Sequence, residues 1–227
     1  MASKKESTFF NMVLTLFLVA AIAALALGAV YEVTKGPIAI AKQKKLEAAI
    51  KTVLPDFDTI VTERVAVADG DSLTFYYARK SGQPVGVAIK TYTNNGFSGK
   101  IELMVGFLDD GTISNTAVLS HKETPGLGDK MDIKKSDFPL QFMEKNPADF
   151  KLSVTKDGGD VDAITAATIS SRAFCDAVQR AYETYSESQE TRIKNQEPRT
   201  KSQEPRTKSQ ETGNKNQEPR VKSQDNR

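Results

Sequence analysis

Two short stretches hold the residue types from which a site could be built. The first is Asp157-Gly-Gly-Asp-Val-Asp-Ala-Ile-Thr-Ala-Ala-Thr-Ile-Ser-Ser-Arg172, which sets three acidic residues and two glycines ahead of four hydroxyl residues. The pattern reads as a helix start with Thr165 as its cap, where unpaired backbone N–H groups favour an anion. Ala166 and Ala167 are small enough to let a bulky group reach the backbone. On these residues alone, an ordinary capped helix and a phosphate site are both open. The second stretch is His121-Lys-Glu-Thr-Pro-Gly-Leu-Gly128. Its Pro-Gly pair makes a turn unaided, and its glycines let a loop lie close to a flat ring. The single cysteine, Cys175, rules out an internal disulfide framework and any multi-cysteine metal or iron–sulfur site. It falls inside an apolar helical face and reads as a packed free thiol. The single histidine, His121, is a poor basis for a His-rich metal site or a triad. At a strand end, it reads as structural.

These stretches need elements to position them. Phe9 to Val30 is uncharged and apolar, and at 1.5 Å per residue it rises about 33 Å, enough for a bilayer core of about 30 Å. A cleaved signal peptide is the competing reading, with Lys4 and Lys5 ahead of the run and Ala24-Leu25-Ala26 as a cleavage pattern. The run exceeds the usual apolar length of a signal, which favours a retained anchor; Lys35, Lys42, Lys44 and Lys45 follow it, and charge leaves the side of the membrane open. Gly36-Pro37 predicts a break or kink as the chain leaves the lipid. Ile38 to Leu54 then carries apolar residues at helical spacing, ended by Pro55.

From Thr59 to His121 the period changes to two. Val61, Val65, Val67, then Leu73, Phe75, Tyr77, then Val85, Val87, Ile89 alternate as strands do, with Asp69-Gly70 and Ser81-Gly82 as turns. Lys100–Leu108 and Thr112–Ser120 flank Asp109-Asp110-Gly111, a predicted hairpin. Phe138–Glu144 predicts a short helix and Phe150–Val154 a short strand. Thr165 to Tyr185 puts Ile169, Ala173, Ala177, Val178, Ala181 and Tyr185 on one helical face. The expected class is α+β: a single N-terminal transmembrane helix, an antiparallel sheet with helices, and a disordered C-terminal tail.

The tail repeats a seven-residue template, KNQEPRT, KSQEPRT, KSQETGN, KNQEPRV and KSQDNR, without an apolar seam for a coiled coil. Without residues 191–227 the chain has 21 Lys/Arg against 24 Asp/Glu, so the overall +2 belongs to the tail. A basic nucleic-acid-binding domain is thereby excluded. The expected organisation is a short cytoplasmic N-terminus (1–8), a transmembrane helix (9–30), a connecting amphipathic helix (31–58), a folded domain (59–190) and the tail (191–227).

Asp162-Ala-Ile-Thr-Ala-Ala-Thr168 resembles the D-x-x-[ST]-[GA]-A-[TS] signature of FMN-binding domains that hold their flavin covalently, with Ala166 where glycine is usual. The block His121 to Gly128 is similar to the HxETPGLG loop of the G subunit of the Rnf electron transport complex and of its relative, the C subunit of the sodium-translocating NADH:quinone reductase. One membrane helix, strands, this loop and the threonine motif match that family in order over residues 1–187. The length without the tail favours the Rnf-type G subunit over its longer relative.

The resemblance implies FMN joined through its phosphate to Thr168 by a dedicated flavin transferase. It implies Thr165 and Ser170 or Ser171 as hydroxyls near the phosphate, and the backbone around Ala166, Ala167 and Ile169 as the balance for its charge. Glu123, Thr124, Leu127 and Gly128 would line the ring or ribityl chain. Lys130 would contact the phosphate or stay solvated. Asp162 would serve as a transferase recognition element. The implied protein is an electron-transfer subunit of an ion-translocating ferredoxin/NAD oxidoreductase, relaying electrons coupled to Na+ or H+ transport, with no complete reaction alone. Its implied partners are the other Rnf-type subunits and membrane lipid. Its implied place is a bacterial inner membrane, single-pass, with the flavin domain on the periplasmic face. A membrane-tethered FMN-binding regulator and a cofactor-free anchored interaction module are the other readings of the same residues.

Overall fold

The computed structural model describes residues 8–67 and 70–200, without the side chains of 193–200. The first element, α1, runs unbroken from Phe9 to Val53. Of the break or kink expected at Gly36-Pro37, a break does not occur. Proline removes one N–H, and so one bond to the Val33 carbonyl, while the long apolar run before it and the Ala- and Lys-rich segment after it carry the rest of the ladder. Tertiary packing secures the far end, where Ala49, Ile50 and Val53 are buried. Pro55 pushes Leu54 to extended backbone (φ −119°, ψ 152°), and the helix stops there as expected. No residue in the apolar part of α1 is buried, and that part is long enough to cross a membrane.

Five strands follow: β1 Thr59–Ala66, β2 Ser72–Lys80, β3 Gln83–Gly96, β4 Gly99–Phe107 and β5 Ile113–Ser120. They form one antiparallel meander in sequence order. The turn at Ser81-Gly82 has positive φ at both residues (51° and 81°), the geometry that continues the strand twist. At Asp109-Asp110-Gly111, Gly111 supplies φ 83° and Asp110 Oδ1 accepts the Thr112 N–H at 2.9 Å. Asp69, half of another expected turn, lies outside the described residues.

Alternation along the strands sorts side chains to two faces. One face presents Leu73, Phe75, Val87, Ile89, Ile101, Leu103, Val105 and Phe107, all buried. It is covered by α2, Thr168–Thr200, through Ala173, Phe174, Ala177, Val178, Ala181 and Tyr185. Phe138 and Phe142, on the 3-10 turn Phe138–Phe142, pack with Phe174 at ring separations of 4.9–5.7 Å. The other face presents Ala78, Ala88 and Met104 to the end of α1. Gly106 permits that contact: a Cβ there would sit 1.9 Å from the Val53 carbonyl oxygen.

Two further expectations are corrected. Phe150–Val154 is not a strand; Val154 makes a single parallel bridge with Val161, because its neighbours turn through the 3-10 segment Thr155–Asp157. The last helix starts at Thr168, three residues later than expected, and runs ten residues past 190 to Thr200. Residues 186–196 contain no glycine or proline, so a helix nucleated by packing extends through them. The chain divides into two compact units after Ser188, the second described here only as helix to Thr200. The expectation for residues 201–227 lies outside the described residues.

Candidate flavin site

Strand β5 ends at Ser120 and delivers His121, whose Nδ1 accepts the Glu123 N–H at 3.1 Å. That bond sets the start of the loop, a structural use of the ring. Thr124-Pro125-Gly126-Leu127 turns with Gly126 at φ 79°, and the Leu127 N–H donates back to the Thr124 carbonyl at 3.2 Å. Just beyond, buried Asp129 pairs with Lys135 at 2.5 Å. The lysine's hydrogen bond holds the Asp129 carboxyl below the usual carboxylate range.

Glu123 lies at the centre of the arrangement, 4% exposed. Its Oε1 accepts the Ser98 N–H at 3.0 Å, and its Oε2 accepts the Ser170 hydroxyl at 2.6 Å. One carboxylate therefore ties the β3–β4 turn, the loop and the start of α2 together. Two glycines make room for it. A Cβ at Gly128 would lie 2.5 Å from Ser170 Oγ and 2.8 Å from Glu123 Oε2; one at Gly96 would lie 2.8 Å from Oε1 and 2.2 Å from the Gly99 carbonyl.

The start of α2 differs from the expected Thr165 cap. Ala166 occupies the left-handed region at φ 61°, which only glycine enters without strain, so the chain turns there before the helix begins. Ser171 closes the turn: its hydroxyl accepts the Ile164 N–H at 2.9 Å and donates to the Ala167 carbonyl at 3.0 Å. It is buried and committed to the backbone, not facing the cavity. Thr165 is exposed in the turn. No acidic residue stands in the first turn of α2, leaving its N–H groups electrostatically available to an anion. Arg172 is engaged by Asp157, both bonds 2.7 Å, which lowers the aspartate's pKa and raises the arginine's.

A cavity of about 320 Å³ opens between these segments, at the small end of the usual range for small-molecule sites. Its walls bring together Glu123, Thr124, Leu127, Gly128, Ala166, Ala167, Thr168 and Ile169 from the sequence-derived set. Lys130 and Thr165 are not in the walls. Ser170 is, but its hydroxyl serves Glu123. Phe97 lines the cavity from the tip of the β3–β4 turn and was missed by sequence reasoning. The Asn-Asn-Gly-Phe-Ser-Gly run, a lone aromatic in a tight turn, was the available signal. Phe97 (68% exposed), Ile169 (47%) and Leu127 (40%) form an apolar rim that suits a flat aromatic ring. Thr168 sits half-buried at the helix start, which suits a phosphate, so the residues present fit FMN. Cys175 is buried further along α2, its thiol pushed up to about 12 by burial, and takes no part.

Residues 96–183 match the FMN-binding domain family. That span brackets every wall of the cavity and omits α1, β1 and β2. The chain is 36% identical over 192 residues to the G subunit of the ion-translocating oxidoreductase complex of Aliivibrio fischeri, covering 78% of this chain and 90% of that protein. It is 34% identical over 164 residues to the G subunit of the same complex in Shewanella oneidensis, covering 67% and 77%. Against the corresponding protein of Vibrio atlanticus it is 44% identical over 116 residues, covering 50% and 56%.

Proposed function

The chain belongs to the family of G subunits of ion-translocating oxidoreductase complexes, and from that premise we propose that it is the membrane-anchored FMN electron-transfer subunit of an Rnf-type complex. FMN supplies the redox chemistry when bound. The chain's own residues hold and insulate it. The reading rests most on one observation: the hydroxyl-bearing first residue of α2, Thr168, shares its cavity with the Glu123–Gly128 loop.

Thr168 Oγ1 would be the attachment atom: its bond to the flavin phosphorus would form as a transferase displaces the oxygen-linked group that phosphorus carries, and the hydroxyl proton would leave with that group. The first-turn N–H groups of α2 offset the phosphate charge. Phe97, Leu127 and Ile169 cover the ring and exclude water from it, while Gly128 lets the loop approach. Glu123 and Ser170 keep loop and helix in register. A covalent bond suits a carrier that meets successive redox partners, because dissociation is removed from the problem. Asp162 is exposed, with its backbone tied to Gln141 at 2.8 and 3.1 Å, leaving its side chain available to a flavin transferase. α1 anchors the domain in a bacterial inner membrane among the other subunits, with the flavin domain on the periplasmic side.

Intact mass tests this. Protein coexpressed with a flavin transferase is expected to gain one FMN less water, about 438 Da, on the peptide containing Thr168. Thr168→Ala should lose the addition and keep the fold, and Thr168→Ser should retain it. A wild-type chain of unmodified mass under these conditions overturns the attachment.

A further inference from the structure

A second cavity, of about 500 Å³, lies where α1 meets the sheet, and its lining shares no residue with the flavin cavity. Lys42 and Lys45 reach it from α1 and Lys90 from β3; Leu46 and Leu119 form its apolar wall. Glu102 is the acidic residue in the lining. It is drawn aside by Lys100 at 3.1 Å and lies 3.9 Å from Lys90. Among the described residues, no carboxylate pairs with Lys42 or Lys45 within 4.0 Å. The cavity therefore carries an excess of positive charge beside apolar surface.

Its height along α1 is set by the unbroken helix. Exposed apolar side chains run from Phe9 through Val33, Ile38 and Ile40, and the charges within that stretch, Glu32 and Lys35, neutralise each other at 2.5 Å. From Phe9 to Ile40 the helix rises about 48 Å, close to the roughly 40–45 Å of a bilayer with its headgroups. Lys42 and Lys45 follow directly, with stems that can bend toward the headgroups. We propose that this cavity binds the phosphate of an anionic phospholipid from the adjoining leaflet. The three ammonium groups take the phosphate, and Leu46 and Leu119 take the glycerol end. The proposal rests on the reading of α1 as a membrane span.

The full chain in zwitterionic detergent is titrated with phosphatidylglycerol or phosphatidylcholine, and bound lipids are counted by native mass spectrometry. Phosphatidylglycerol is expected to be retained about ten-fold more tightly or better. Combined Lys42→Gln, Lys45→Gln and Lys90→Gln should abolish that preference. The corresponding arginine replacements should keep it, as should Lys44→Gln outside the cavity. Equal retention of both lipids, or a preference that survives the triple glutamine variant, overturns the site. Displacement by equimolar inorganic phosphate makes it a free-anion site, and displacement by poly-glutamate makes it a protein-docking site; either overturns the lipid. Alkaline carbonate extraction of membranes separates the two readings: a chain washed off removes the membrane span, whereas a chain retained without lipid preference removes only this site.

Discussion

Against one face of the sheet, α1 buries Ala49, Ile50 and Val53, three small or aliphatic residues whose approach depends on Gly106 having no side chain. Against the other, α2 buries Phe174 and Tyr185 among aromatic rings, with Ala173, Ala177, Val178 and Ala181 between them. The first contact is a close backbone approach of limited area; the second is a filled volume. The cavity belongs to the second, because its Glu123–Ser170 bond joins the loop to the helix that closes that core. Anchoring and cofactor holding are thus assigned to opposite faces, and a change on one side should leave the other working.

The largest effect is expected at Phe174. Phe174→Ala should cost about 3–5 kcal/mol in denaturant unfolding, since it empties the centre of an aromatic cluster. It should reduce flavin content as well. Gly106→Ala should cost about 1–3 kcal/mol by forcing the end of α1 off the sheet. Limited proteolysis at residues 54–58 should accelerate while flavin content holds. Equal flavin loss in both variants would break the separation of the two faces. Ala166→Gly is a smaller change in the opposite direction: relief of the positive φ should stabilise the chain by up to about 1 kcal/mol, read from the denaturant midpoint.

The smallest effect is expected from acid. Asp129 and Asp157, on the cavity side, are held below the ordinary carboxylate range by Lys135 and Arg172. A depressed folded pKa contributes stability that is present above the unfolded value, about 3.9, and is lost as pH falls through the folded value. Thermal midpoints should therefore drop below about pH 4, and Asp129→Asn should flatten that acid limb.

Much of the frame was legible because it depends on neighbours in sequence. The alternation at Leu73, Phe75, Val87 and Ile89 is a local signal of a half-buried sheet, and the hairpins announced themselves through Ser81-Gly82 and Gly111. Pro37 does not end the helix, because its local penalty is outweighed by the packing that holds α1 beyond it. Thr165 misled because a cap depends on where the helix starts, and the left-handed Ala166 moves that start to Thr168.

The apolar span of α1, the antiparallel character of the domain and the hydroxyl-rich segment around Thr168 were determined by the sequence alone, since each is written in residue type and period. Which residues face one another across the cavity was decided only by the tertiary structure. Glu123 and Ser170 are 47 positions apart, and Phe97 enters from a third segment. Strand register and the packing of α2 bring them together, and no short-range pattern encodes a distance closed by the whole core.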